Sequence, residues 1–164
     1  MLAITFLGSP AFLTIASAVV AIWLAWRRAW YRLITLMLVM PGGALLNLLL
    51  KYAFHRQRPF FENPLVTLSG YSFPSGHAMG STLFYGLLAW FVALALRRWR
   101  WRVLVILGAF LVVLLIGFSR IYLGAHYLSD VLGAMAAGAA WLALCITAVS
   151  TLRRYRQQQT QKSL

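Results

Sequence analysis

Five long apolar runs separated by short polar breaks organise this chain, approximately over 2–26, 33–54, 77–96, 103–118 and 127–149. Most reach the roughly 20 residues that a helix needs to cross the hydrocarbon of a bilayer. The pattern therefore predicts an all-α, polytopic integral-membrane bundle with five transmembrane helices. The fourth run is the shortest and is expected to extend into the residues before Ser119. Pro10 interrupts the first run and Pro41-Gly42-Gly43 the second, where kinks are tolerable if neighbouring helices cover the backbone. No internal repeat, low-complexity tract or long linker divides the chain, so residues 1–164 read as one domain whose residues 151–164 form a basic tail.

The breaks set an orientation. Arg27, Arg28 and Arg32, then Arg97, Arg98, Arg100 and Arg102, then Arg153, Arg154, Arg156 and Lys162 are eleven of the fifteen basic residues. If every run crosses, all three groups fall on one side, which the excess of basic residues marks as cytoplasmic. Trp26, Trp30, Tyr31, Trp99 and Trp101 flank these breaks as an aromatic belt would. Lys51, Arg56, Arg58 and Arg120 fall on the outer side, with the loops 55–76 and 119–126. Met1 then also lies outside, and the first run has no basic region before it to mark a signal peptide. The reading that reconciles these points is an earlier transmembrane helix absent from this chain.

Composition agrees. Apolar residues make up 62% and charged residues 10%, against about 25% charged in soluble domains. The formal charge of +13 resides in the breaks, so it reads as topological anchoring and excludes a nucleic-acid footprint. The single cysteine, Cys145, cannot form an intrachain disulfide.

Chemistry enters with the two acidic residues, Glu62 and Asp130. Asp130 lies in an apolar stretch, and a carboxylate at membrane depth costs several kcal/mol unless paired or hydrated. His126, four residues earlier, is its natural partner on one helical face. Asp130 can accept from one ring nitrogen and leave the other with a lone pair, while Arg120 offers a donor fork for phosphate oxygens. A plain Arg120–Asp130 ion pair is the structural alternative. Lys51 and Arg58 are seven apart, sharing a helical face before Pro59 ends the helix; two snorkelling anchors would look the same. Pro74-Ser75-Gly76-His77 opens the third run: Ser75 can cap the helix, Gly76 allows close backbone approach, and the free N–H groups form an anion site facing His77. An ordinary capped helix with an interfacial histidine is the plainer account.

Together the motifs are less forgiving. Three cations and an N–H nest suit a highly charged tetrahedral oxyanion. A carboxylate-backed histidine can attack phosphorus while a second histidine protonates the leaving oxygen. One usable carboxylate, no cysteine cluster and no histidines at ligand spacing make no metal site, so no metal or other cofactor is expected.

Lys51-x6-Arg58-Pro59, Pro74-Ser75-Gly76-His77 and Ser119-Arg120-x5-His126-x3-Asp130 resemble the three-part signature of the type 2 phosphatidic acid phosphatases. That superfamily also contains vanadium haloperoxidases and soluble bacterial acid phosphatases. All eleven signature positions match in order, over about Gly43 to Gly133. The resemblance implies that His126 is phosphorylated, Asp130 orients it, and His77 serves as acid and then as base for water. It implies phosphate held by Lys51, Arg58, Ser75, Gly76 and Arg120. Membrane members usually have six transmembrane helices, with the first two motifs after the third; here they follow the second, in keeping with an absent first helix.

The expectation is metal-independent hydrolysis of a lipid phosphate monoester or pyrophosphate at the outer face of a bacterial inner membrane. Undecaprenyl pyrophosphate, phosphatidylglycerol phosphate and phosphatidic acid are the candidates. The partners are the lipid substrate and the bilayer, not nucleic acid, and the oligomeric state is open. A lipid phosphotransferase, a vanadate haloperoxidase and a catalytically silent anionic-lipid binder are the rivals. Outside the signature, Asn47 reads as packing glue or a partner for Lys51. His55, Arg56 and Glu62 read as solvated or headgroup-facing, and Phe60, Phe61 and Tyr71 as interfacial aromatics near the substrate's path. Gly124 allows a turn into the helix expected to bear His126; Gly133 and Gly138 point to close helix packing.

Overall fold

A computed structural model describes residues 1–59 and 70–162; Phe60, Phe61 and Glu62 lie outside the described residues. The elements are all helices: α1 (Leu2–Phe6), α2 (Pro10–Trp26), α3 (Trp30–Phe54), α4 (Gly76–Ala95), α5 (Trp99–Tyr122) and α6 (Leu128–Lys162). α3, α4, α5 and α6 are long and apolar enough to cross a membrane, and α2 is a shorter apolar helix. The fold is the expected all-α membrane bundle, but among the described residues four helices rather than the expected five reach crossing length, because the first run is divided and leaves α2 only 17 residues long.

Boundaries depart from the hydrophobic pattern where local chemistry intervenes. The first run is two helices, not one kinked helix. Phe12 N–H donates to Ser9 Oγ at 3.2 Å and Pro10 occupies the first turn, so proline starts α2. The break is pressed against the bundle: a Cβ on Gly8 would lie 2.5 Å from Ile116 Cγ2 and 2.8 Å from Ser81 Oγ. Tyr85 Oη donates to the Leu7 carbonyl at 3.0 Å, fastening the same turn to α4. α3 runs through Pro41 but stops at Phe54, because His55 adopts a left-handed φ of 45° and caps the Lys51 carbonyl at 3.1 Å. Arg58 therefore lies beyond the helix and does not share a helical face with Lys51. α5 extends past Ser119 to Tyr122 and carries Arg120. The basic tail continues α6: 35 residues span about 52 Å, well beyond the roughly 30 Å of hydrocarbon. Arg153 on this extension stacks over the Tyr31 ring at 5.6 Å.

α4 is the centre of the bundle and touches α2, α3, α5 and α6. Leu36 and Val39 of α3, Met79, Leu83 and Leu87 of α4, and Val131 and Ala134 of α6 form its buried core with Leu24. Gly138 lets α6 approach α4, where a Cβ would meet Thr82 Cβ at 3.2 Å. Large apolar side chains such as Ile15, Ile22, Leu45, Leu107, Phe110 and Leu132 point outward. That is the arrangement hydrocarbon rewards and water penalises. The C-terminal ends of α3 and α5 and the N-terminal ends of α4 and α6 share one end of the bundle. The arginine-rich breaks occupy the other.

Candidate active site

Asp130 sits in the first turn of α6 and is fully buried. Its Oδ2 accepts the Tyr127 N–H at 2.9 Å, a side chain reaching back to the residue before the helix. Its Oδ1 accepts from Arg56 Nη1 at 2.8 Å. Arg56 also donates to Ser129 Oγ at 2.7 Å and lies over the Tyr127 ring at 4.4 Å. This overturns one expectation: Arg56 is not simply headgroup-facing. The structural alternative, an Arg120–Asp130 ion pair, is not formed either; the arginine paired with Asp130 is Arg56.

His126 precedes α6 instead of riding on it, in the turn that Gly124 opens with φ 67°. Its Nδ1 faces Asp130 Oδ2 at 3.6 Å, too long for the expected direct hydrogen bond. The hydroxyl of buried Ser72 stands beside both groups: it donates to Asp130 Oδ2 and lies 3.4 Å from Nδ1. On the other side of the ring, Nε2 faces Arg58 Nη1 at 3.4 Å. Arg58 is aimed there by bonds to the Gly70 and Ala125 carbonyls, both 3.0 Å. Burial is the first cause holding the His126 imidazole below its ordinary pKa, followed by the charges of Arg58 and Arg120; Asp130 opposes and Lys51 adds a smaller push. The ring is therefore neutral at pH 7, the form with a lone pair to give.

The other predicted residues surround this ring at the same end of the bundle. Lys51 Nζ donates to the Tyr71 carbonyl at 2.7 Å. Arg120 is buried; its Nη1 donates to Thr5 Oγ1 of α1 at 2.9 Å and its Nε has no partner among the described residues. Ser119 spends its hydroxyl on the Ile116 carbonyl at 2.6 Å. Ser75 caps α4 through Ala78 N–H at 3.4 Å, but its own N–H is taken by the Asp130 carbonyl at 3.2 Å. That bond ties the second motif to the third. It leaves the N–H groups of Gly76 and His77, in the first turn of α4, to face an anion. His77 lies beside the α1–α2 break, its Cδ2 3.6 Å from where a Gly8 Cβ would stand. Asn47 donates to Met79 Sδ at 3.4 Å rather than holding Lys51. Tyr71 packs edge-on against His55 and Tyr52.

Ser72, Arg56 and Thr5 are the residues the motifs did not disclose. Each meets a partner more than fifty positions away, and no helical period or spacing links such pairs. The one local signal belongs to Thr5 and Ser72, polar side chains set between apolar or aromatic neighbours; Arg56, between His55 and Gln57, carries none.

Beside this polar cluster, a cavity of about 450 Å³ runs between α2, α3 and α4. Asn47 and Gly76 line it at the site end, and Ser17, Met37 and Leu83 line it deeper in the bundle. Its wall is almost wholly apolar.

Fold and site together define a polytopic helical membrane protein whose ionisable chemistry converges at one end of the bundle. Residues 32–154 match the PAP2 superfamily, and the chain belongs to that family. It is 34% identical over 161 residues to phosphatidylglycerophosphatase B of Bacillus subtilis, covering 96% of this chain and 78% of the relative. A shorter match, 37% over 100 residues, covers 57% of this chain and 46% of undecaprenyl-diphosphatase BcrC from the same organism. Among solved structures, the transmembrane PAP2-type phosphatidylglycerolphosphate phosphatase of Bacillus subtilis superposes with a TM-score of 0.82 at 33% identity, over 93% of this chain and 76% of that one. Aquifex aeolicus LpxE superposes with a TM-score of 0.67 at 26% identity, over 88% and 81%.

Proposed function

We propose that this protein is a metal-independent phosphatase that hydrolyses a lipid phosphate monoester or pyrophosphate through a phosphohistidine on His126. The observation that carries this reading is the position of Arg58, whose guanidinium stands 3.4 Å from His126 Nε2. A phosphate oxygen bound to that guanidinium brings phosphorus within reach of the Nε2 lone pair.

In the first step the Nε2 lone pair forms the bond to phosphorus as the bond to the leaving oxygen breaks, and His77 gives that oxygen a proton. In the second step His77 takes a proton from water, the water oxygen attacks phosphorus, and the N–P electron pair returns to Nε2. Inorganic phosphate leaves. Arg58, Arg120 and Lys51, with the N–H groups of Gly76 and His77, offset the charge on the equatorial oxygens. Ser75 acts by shaping the start of α4. The fixed cations take the electrostatic part that a metal ion plays elsewhere.

The apolar cavity supports a lipid substrate, because it begins at Gly76 and Asn47 and continues into the bundle. A tail lying there leaves its phosphate at the polar end. The basic breaks at the opposite end support an active site on the outer face, the periplasmic one if the membrane is a bacterial inner membrane. Among the three candidate lipids, the extent of the match to phosphatidylglycerophosphatase B makes phosphatidylglycerol phosphate the first to test.

The test is phosphate release by the purified protein from all three lipids, with EDTA present and beside the His126→Ala and Asp130→Ala variants. Release should persist in EDTA, fall in Asp130→Ala and drop to near background in His126→Ala. Undiminished release by His126→Ala, or complete loss in EDTA restored by magnesium, would sink the mechanism.

A further inference from the structure

We propose that Ser72 is a positioning residue: its hydroxyl links Asp130 to His126 and determines which ring nitrogen of His126 carries the proton. The inference rests on the reading of His126 as the nucleophile, and the geometry around the hydroxyl carries it.

Asp130 cannot orient the ring alone. Its Oδ2 is 3.6 Å from Nδ1, and the carboxylate is not free to swing closer. Arg56 holds Oδ1 at 2.8 Å and the Tyr127 N–H holds Oδ2 at 2.9 Å. Ser72 Oγ is hydrogen-bonded to Oδ2 and lies nearer to Nδ1, at 3.4 Å. An ionised carboxylate only accepts, so the single hydroxyl proton is committed to Asp130. Only oxygen lone pairs then remain to face the ring, so Nδ1 must be the donor. A proton on Nδ1 leaves the lone pair on Nε2, and the other side of the ring gives the same assignment. There Arg58 Nη1, which can only donate, faces Nε2 at 3.4 Å.

The hydroxyl is itself held from both sides. Ser72 N–H donates to the Arg56 carbonyl at 2.7 Å, so the serine and the arginine that grip one carboxylate are bonded through their backbones. Phe73, the next residue, packs edge-on against Phe54 with ring centroids 4.7 Å apart. A Cβ on Gly133 would lie 2.6 Å from the Phe73 ring, so α6 also closes on this segment. Ser72 is fully buried, which keeps water from replacing its hydroxyl. When Nε2 bonds to phosphorus the proton stays on Nδ1, and the positive charge that develops on the ring is communicated through Ser72 to Asp130.

The experiment is nitrogen NMR of the full chain in detergent micelles at neutral pH, with 15N-labelled histidine and His126→Ala used to assign the signal. His126 should be protonated on Nδ1 and bare on Nε2. Ser72→Ala should move the population toward the Nε2–H form and lower kcat by roughly 10- to 100-fold with KM little changed. Ser72→Thr, which keeps the hydroxyl, should recover most of the rate. An Nε2–H ring in the unsubstituted protein would overturn the proposal, as would Ser72→Ala with unchanged tautomer and unchanged kcat. Should Ser72→Ala fail to fold, Ser72→Cys, with its weaker S–H donor, takes its place: the tautomer is again read and should shift in the same direction, and an unchanged tautomer would overturn the proposal. That readout is independent of turnover: a protein active after His126→Ala would defeat the proposed function whatever tautomer is found.

Discussion

At the scale of single residues, the environment of His126 follows from which charges surround it and how little water does. Burial and the guanidiniums of Arg58 and Arg120 outweigh the nearby Asp130, so the imidazole resists protonation. The sign is definite: a lowered pKa means the lone pair persists as pH falls through about 6.5, the ordinary histidine value. The acid limb of kcat/KM should therefore have its midpoint below that value; a midpoint at or above it would contradict this electrostatic account. The same shift costs stability in acid, because below about 6.5 the unfolded chain takes up a proton that the native ring refuses until its own lower pKa is reached. Eight of these residues were legible from motif spacing, because sequence order alone puts them near helix ends. The partners of Asp130 were not. Arg56 read as solvated or headgroup-facing and Ser72 drew no reading, since contacts across fifty or more positions leave no periodic trace.

At the scale of elements, hydrophobic runs located the long helices well but not their ends. The ends depend on caps and on single backbone conformations: Ser9 with Pro10 starts α2, and His55 with its left-handed φ stops α3. Average hydropathy does not register either. The turn between α1 and α2 matters to the site because α1 brings Thr5 to Arg120 at 2.9 Å. Gly8→Ala would push a methyl into Ile116 and Ser81, and overpacking of this kind costs about 1–3 kcal/mol. Its melting temperature in detergent should fall, and phosphate release with it as Thr5 shifts from Arg120. An unchanged melting temperature would show that the turn relaxes freely.

At the scale of the whole molecule, the segregation of basic breaks from the signature was readable from charge alone, and the bundle keeps it. The cavity between α2, α3 and α4 was not readable, because a gap between helices depends on three faces at once. Its proposed role as a tail site has a direct consequence. Ala44 lines this cavity, so Ala44→Trp should narrow it, raising KM for long-chain lipid phosphates while sparing a short-chain, water-soluble phosphate ester. Equal effects on both substrates would separate the cavity from substrate binding. The central claim, however, is covalent catalysis by His126, and trapping the phosphoenzyme tests it most directly. Protein mixed briefly with lipid labelled in its phosphate, quenched in alkali and digested, should yield phosphate on the peptide containing His126, stable to base and labile to acid. Turnover without label on that peptide at any quench time, with the same rate in His126→Ala, would contradict it.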